Sequence, residues 1–143
     1  MTAVVERVAD IAAPLAIRAE VFMREQGVSL ADEVDGADPD CLHWLMSDAD
    51  GPVATLRVMP LGEVAKIQRV AVLPRARGTG LGARLMAHVM DELRAMGFRT
   101  ALLGAQTGAL GFYERLGFAA HGPVYDDAGI PHRDMTRALA VLP

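Results

Sequence analysis

The chain has 143 residues, 52% of them hydrophobic and 22% charged, with a net charge of −4, which is the composition of one folded domain with a core and not of a disordered chain. The acidic balance argues against nucleic acid as a partner, because duplex binding needs a basic face that displaces counterions. No apolar run approaches the roughly 20 residues of a membrane span, and the single cysteine, Cys41, excludes an internal disulfide framework and a Cys-based zinc centre.

Residues 3–8 (AVVERV) predict a short first strand. Pro14 suits the first turn of a helix, and Leu15, Ile17, Val21 and Phe22 make an approximate helical stripe that ends at Gly27. Residues 29–40 (SLADEVDGADPD) predict a loop or a short irregular helix. Their acidity suits either a solvated surface or a border for a cationic acceptor. His43–Met46 and Pro52–Met59, joined by Asp48-Ala49-Asp50-Gly51, predict an antiparallel hairpin. Residues 65–73 predict a strand, and Gly80–Met96 a long helix with Leu81, Leu85, Met86, Val89, Met90 and Leu93 on one side. A short strand over Thr100–Leu103, bounded by Gly104, and a short helix over Ala109–Leu116 follow. Phe118–Tyr125 and His132–Leu139 predict two closing strands around Asp126-Asp127-Ala128-Gly129. The order predicts one α+β domain over residues 1–143, with a mixed, mainly antiparallel sheet flanked by helices. The N-terminal residues MTAVVERVAD lack a basic head before an apolar run, so a secretory signal is not expected and a cytoplasmic location is.

The most telling stretch is Lys66–Met86. An apolar strand breaks at Pro74 and passes through Arg75-Ala76-Arg77-Gly78-Thr79-Gly80-Leu81-Gly82 into a helix. Glycines let backbone approach a ligand closely, and the first turn of a helix offers unpaired N–H groups at its positive end. Together they predict an anion site, to which Arg75 and Arg77 would add bidentate charge. A P-loop is excluded because no lysine follows the glycines. A dinucleotide fold lacks its acidic residue at the end of a second strand. A phosphate-bearing cofactor is the better reading over a plain turn.

Val70-Ala71-Val72-Leu73-Pro74-Arg75-Ala76-Arg77-Gly78-Thr79-Gly80 resembles the Arg/Gln-x-x-Gly-x-Gly motif of the GNAT N-acetyltransferases. Gly111-Phe112-Tyr113-Glu114-Arg115-Leu116-Gly117-Phe118 is similar to their second signature. Arg18-x-x-Val21-Phe22-x-x-Glu25-Gln26, Glu33-x-Asp35 and Ala128-Gly129-Ile130-Pro131-His132-x-x-Met135 resemble an ElaA-like or YjcF-like bacterial branch. Five motifs in order cover nearly the whole chain. The resemblance implies the GNAT fold, with splayed strands at the cofactor site and acetyl-CoA as acyl donor. It places the coenzyme A pyrophosphate on Gly78, Thr79, Gly80, Leu81 and Gly82 with Arg75 and Arg77. The pantetheine arm falls beside the main chain of Val70, Ala71 and Val72. Gln106 matches a position that touches the cofactor arm, and a loop-capping amide is its other reading.

Acyl transfer to an amine needs a base for the amine, a donor of hydrogen bonds to the developing oxyanion and an acid for the leaving thiolate. By resemblance Tyr113 is the acid; on residue type alone it reads as a half-buried aromatic packing a short helix. Lys66 and Gln68 stand where many relatives carry a glutamate base. Glu63 sits by a turn. His132 is the candidate base, since histidine titrates near neutrality, with a structural histidine bonded to backbone as its other reading. His43 reads as core or hinge, and Cys41 as buried and inert. No nucleophilic triad is visible and no metal is expected. The expectation is therefore direct acetyl transfer from acetyl-CoA to a primary amine, on a small molecule or a protein, in a pocket bordered by the first helix and the 29–40 segment. No nucleic-acid or membrane partner is expected, and a homodimer is in keeping with the family. An acyl-homoserine-lactone-synthase-like enzyme and a non-catalytic acyl-CoA sensor are the alternatives.

Overall fold

The computed structural model describes residues 3–139. Seven strands form one sheet in the order β1-β2-β3-β4-β5-β7-β6: β1 Val4–Val8, β2 Leu42–Asp48, β3 Gly51–Leu61, β4 Val64–Val72, β5 Thr100–Gln106, β6 Ala119–Asp127 and β7 Ile130–Ala138. Every neighbouring pair is antiparallel except β4 and β5. The β4–β5 connection carries α3 (Leu81–Ala95), as a parallel crossover requires.

Helix α3 buries Leu85, Met86, Val89, Met90 and Leu93, the stripe its 3.6-residue period predicts. They pack on alternate residues of the sheet, among them Ala65 and Ile67 of β4 and Ala101, Leu103 and Ala105 of β5. Each large side chain so buried contributes roughly 1.5–3 kcal/mol. Trp44 of β2 is fully buried beneath the helix, and its indole N–H finds an acceptor in Glu92 at 2.8 Å. Helix α4 (Leu110–Arg115) covers the same face. The opposite face carries α1 (Ala12–Arg18), which runs on into a π-helical stretch over Ala19–Glu25. Ile17 and Val21 pack there against Leu45 and Ala71. The stretch ends where sequence placed its end, at Gly27 with φ +73°.

Two expectations need correction. Gly104 does not end β5, which continues to Gln106 paired with His132 of β7. The 29–40 segment contains the expected short helix, α2 (Leu30–Glu33), but it is not simply solvated. Glu33 and Asp38 are buried with Arg18 and Arg57. Arg18 bonds Glu33, and its Nη1 donates to Asp38 at 2.7 Å. Arg57 donates to Asp38 at 3.0 Å and to Asp35 at 2.6 Å. The acidic segment is thereby clamped onto the sheet by arginines from α1 and β3. Among the described residues no helix is long and apolar enough to cross a membrane.

Candidate active site

β4 and β5 pair only from Val64↔Thr100 to Ile67↔Leu103, and then part. The cause lies in β4. Between Thr55 and Arg57 the β3–β4 register slips by one residue, and Arg69 sits at φ +56° within the bulge. An extra residue on one strand bends it away from its neighbour. The positive φ is unfavourable for a side-chain-bearing residue. It is held because Arg69 donates to the carbonyls of Asp32 and Glu33, both at 3.1 Å, and pairs with Asp35 at 3.3 Å.

The gap is a cavity of about 260 Å³. Phe22, Gln26 and Val28 wall it from the α1 side, Lys66, Gln68 and Val70 from β4, Gly104 and Gln106 from β5. Tyr113 reaches it from α4, and Tyr125 and His132 from the β6–β7 hairpin. Leu73 N–H donates to Val53 of β3 at 2.8 Å. Strand alternation therefore turns the main-chain groups of Val72 and Val70 toward the open side. Ala71 does not share this placement: its backbone faces β3 and its side chain is buried under α1. Of the three strand residues assigned to the cofactor, only Val70 lines the cavity; Val72 turns its main chain to the same side, with its carbonyl held by Arg77, and Ala71 does not face it.

At the end of β4, Gly78 and Gly80 adopt φ +75° and +79°, and a Cβ on either would meet open space. Their conformation, not crowding, calls for glycine. No side chain caps the N-terminus of α3, so its first N–H groups point outward, as an anion cradle requires. A Cβ on Gly82 would sit 3.4 Å from Val72 and 3.5 Å from Phe112, so α3 packs close against strand end and α4. The Thr79 hydroxyl is spent on the Ala76 carbonyl. The two arginines are turned aside. Arg75 pairs with Asp48 at 2.9 Å, and Arg77 pairs with Glu25 at 2.6 Å while donating to the Val72 carbonyl at 2.9 Å. What the turn offers an anion is therefore backbone N–H rather than arginine side chains. The residues fit a coenzyme A phosphate through those N–H groups.

Tyr113 is nine-tenths buried, edge-on to Phe112 and Phe118. Burial pushes its hydroxyl up to about 12. The hydroxyl finds no partner among the described residues, yet it is not sealed off, and so it opens on the cavity. His132 places Nδ1 2.7 Å from the Ile130 carbonyl. Only an N–H can make that contact, so the neutral ring keeps a lone pair on Nε2. The ring stacks on Tyr125, with centroids 6.0 Å apart. Tyr125 donates to Asp134 at 2.7 Å, and burial together with that bond pushes its hydroxyl up to about 12. Gln106 reaches across the mouth of the gap, where its amide nitrogen donates to Gln26 at 2.9 Å. Neither Gln106 nor Glu25 is a free surface group: both tie the end of the π-helical stretch to the two diverging strands.

Other candidates lie elsewhere. Glu63 is at the far end of β4, 3.5 Å from Arg99. His43 is buried outside the cavity, with Nε2 2.9 Å from the Asp38 carbonyl and Nδ1 buried without a partner among the described residues. Cys41 is half-buried outside the cavity, and burial pushes its thiol up. Sequence reasoning missed Tyr125 and the Arg18–Arg57–Asp38 cluster. An arginine set in the apolar stripe between Ile17 and Val21 was the signal for the latter.

A family model described as an acetyltransferase (GNAT) domain matches residues 13–139. The chain belongs to the GNAT acetyltransferase family. Among its GNAT relatives, the Bacillus subtilis N-acetyltransferase YjcF is 31% identical over 85% of this chain and 87% of its own. The crystal structure of Escherichia coli ElaA superposes with a TM-score of 0.83 at 29% identity, covering 95% of this chain and 99% of that one. An acyl-CoA N-acyltransferase structure from Pseudomonas aeruginosa also gives 0.83, at 31% identity over 96% and 100%. The ElaA-like and YjcF-like resemblance and the GNAT fold are thus borne out.

Proposed function

We propose that this GNAT protein transfers an acetyl group from acetyl-CoA to a primary amine by direct attack, with both substrates bound together. The observation that carries the reading is the parting of β4 and β5 beyond Ile67 and Leu103, which opens one cavity onto Val70, Tyr113 and His132. Bound acetyl-CoA would supply an activated thioester. The first N–H groups of α3 and the backbone of Gly78–Gly82 hold its phosphates. The main-chain edge at Val70 and the N–H of Val72 orient its arm, and an amide there faces the charge that develops on the carbonyl oxygen. His132 Nε2 takes the proton from the acceptor ammonium, leaving a neutral amine. As the C–N bond forms and the C–S bond breaks, Tyr113, protonated across the physiological range, donates from its hydroxyl to the leaving sulfur, and the second proton shed by the attacking nitrogen restores the tyrosine. Neither cysteine nor serine lines the cavity, which supports direct attack over a covalent enzyme intermediate. Tyr113 is buried and His132 half-buried, and the low-dielectric wall around them strengthens these interactions.

The cradle is tested at Gly80. A β-branched residue there is strained at φ +79° and displaces the first amides of α3. Gly80→Val is expected to abolish acetyl-CoA binding in a calorimetric titration while the far-UV spectrum stays that of the wild type. Unchanged affinity would remove the phosphate assignment.

A further inference from the structure

We propose that Lys66 and Gln68 form an anion seat on the acceptor side of the cavity, and that the acceptor is therefore an amine that also carries a carboxylate. The inference rests on the acyl-transfer reading above and specifies its substrate class.

Ala65 and Ile67 are buried in the core beneath α3. The period of two along a strand sends Lys66 and Gln68 to the other face, where both line the cavity. Lys66 is the only lysine of the chain. Among the described residues it makes no ion pair. The other cavity cation, Arg69, is already engaged with Glu33 and Asp35. Lys66 thus brings an uncompensated positive charge to a partly enclosed space, where an opposite charge is worth more than in water.

Gln68 adds a second donor, and its orientation is dictated. Arg57 Nε donates to Gln68 Oε1 at 3.0 Å. A guanidinium has no acceptor, so the amide oxygen must face Arg57 and the NH2 group must face away. Arg57 is itself 1% exposed and anchored by Asp35 and Asp38, which prevents the amide from flipping. The NH2 group has no partner among the described residues and is not sealed from the cavity. An ammonium and an amide NH2 two positions apart on one strand face can each serve one oxygen of a carboxylate.

The competing expectation of a cationic acceptor loses its support. Glu33, Asp35 and Asp38, the carboxylates that suggested it, are spent on Arg18, Arg57 and Arg69. The remaining cavity-lining carboxylates, Asp32 and Asp127, are exposed at the rim, where water and salt screen them.

The test is steady-state transfer from acetyl-CoA to amino acids whose amine and carboxylate are separated by one to four carbons. Each is run beside its primary amide, with spermidine as a cationic control. The best acceptor is expected to carry a carboxylate. Lys66→Met is expected to lower kcat/KM for it by roughly 10–100-fold, the effect of one charge-assisted hydrogen bond, mainly through KM. The acid-to-amide ratio falls by the same factor. Lys66→Arg restores most of it, and Gln68→Glu, which keeps an oxygen for Arg57 but turns a second one to the cavity, lowers it again. Best turnover of spermidine or an amide by the wild type overturns the inference, as does an unchanged ratio in Lys66→Met. Lack of transfer to the whole panel with acetyl-CoA binding intact overturns it too and leaves the cofactor reading standing. Lack of acetyl-CoA binding by the wild type brings down both.

Discussion

Asp38 accepts hydrogen bonds from two buried arginines, Arg18 at 2.7 Å and Arg57 at 3.0 Å. Burial opposes its ionisation, but the two guanidinium bonds win and hold its carboxyl below the usual range. Asp35, bonded to Arg57, is held well below that range. Both folded-state values lie under the unfolded ones. Their contribution is therefore complete above the ordinary carboxylate pKa of about 3.9 and is lost as pH falls through the depressed values. The melting temperature is expected to drop steeply below about pH 4, and Asp35→Asn should flatten that drop. Asp38→Ala leaves two buried guanidinium groups short of a counter-charge, at a cost of about 3–5 kcal/mol, read by denaturant unfolding at pH 7. A loss below 1 kcal/mol would show that the cluster is solvated. These pairings were half legible. Arg18 and Glu33-x-Asp35 stood out as motifs, but nothing local says that residues 15 positions apart meet inside the protein, because buried ion pairs are set by tertiary geometry and not by periodicity.

The β6–β7 hairpin shows the same limit for an element. Gly104 reads as the end of a strand because glycine weakens strand interiors. The structure keeps it inside β5 because the Tyr125 hydroxyl lies over it on its way to Asp134, and a Cβ there would collide with that hydroxyl. Tyr125 in turn stacks on His132, so the glycine sets how the hairpin presents the candidate base. Gly104→Ala is expected to break the Tyr125–Asp134 bond, displace His132 and reduce kcat by about 10-fold or more, a misplacement effect, with little change in acetyl-CoA affinity. Full activity would separate the hairpin from the chemistry. Long helix α3, by contrast, was readable nearly to the residue, since its buried face repeats every 3.6 residues and Gly97 follows it. That the bulge falls at Arg69 was not readable, because nothing in residue type marks an arginine for positive φ.

For the molecule as a whole, the ordered motifs specified the GNAT fold and its glycine turn, and they left the chemistry of the acceptor to the arrangement of the sheet. Sequence could say that Lys66 and Gln68 are not carboxylates. Only the cavity shows that both present donors to the same space. The turn of Arg75 and Arg77 toward Asp48 and Glu25 was likewise hidden, since a charged side chain beside a glycine turn can face the ligand or a neighbouring carboxylate. The central claim is that one cavity holds the thioester next to Tyr113 while an amine attacks, and it is tested by comparing wild type with Tyr113→Phe in a continuous thiol-release assay with acetyl-CoA and an acceptor amine. General acid catalysis contributes about 10²–10⁴-fold, so kcat is expected to fall by about 100-fold or more while the KM for acetyl-CoA stays within about twofold. A Tyr113→Phe enzyme that releases thiol as fast as the wild type would contradict the account.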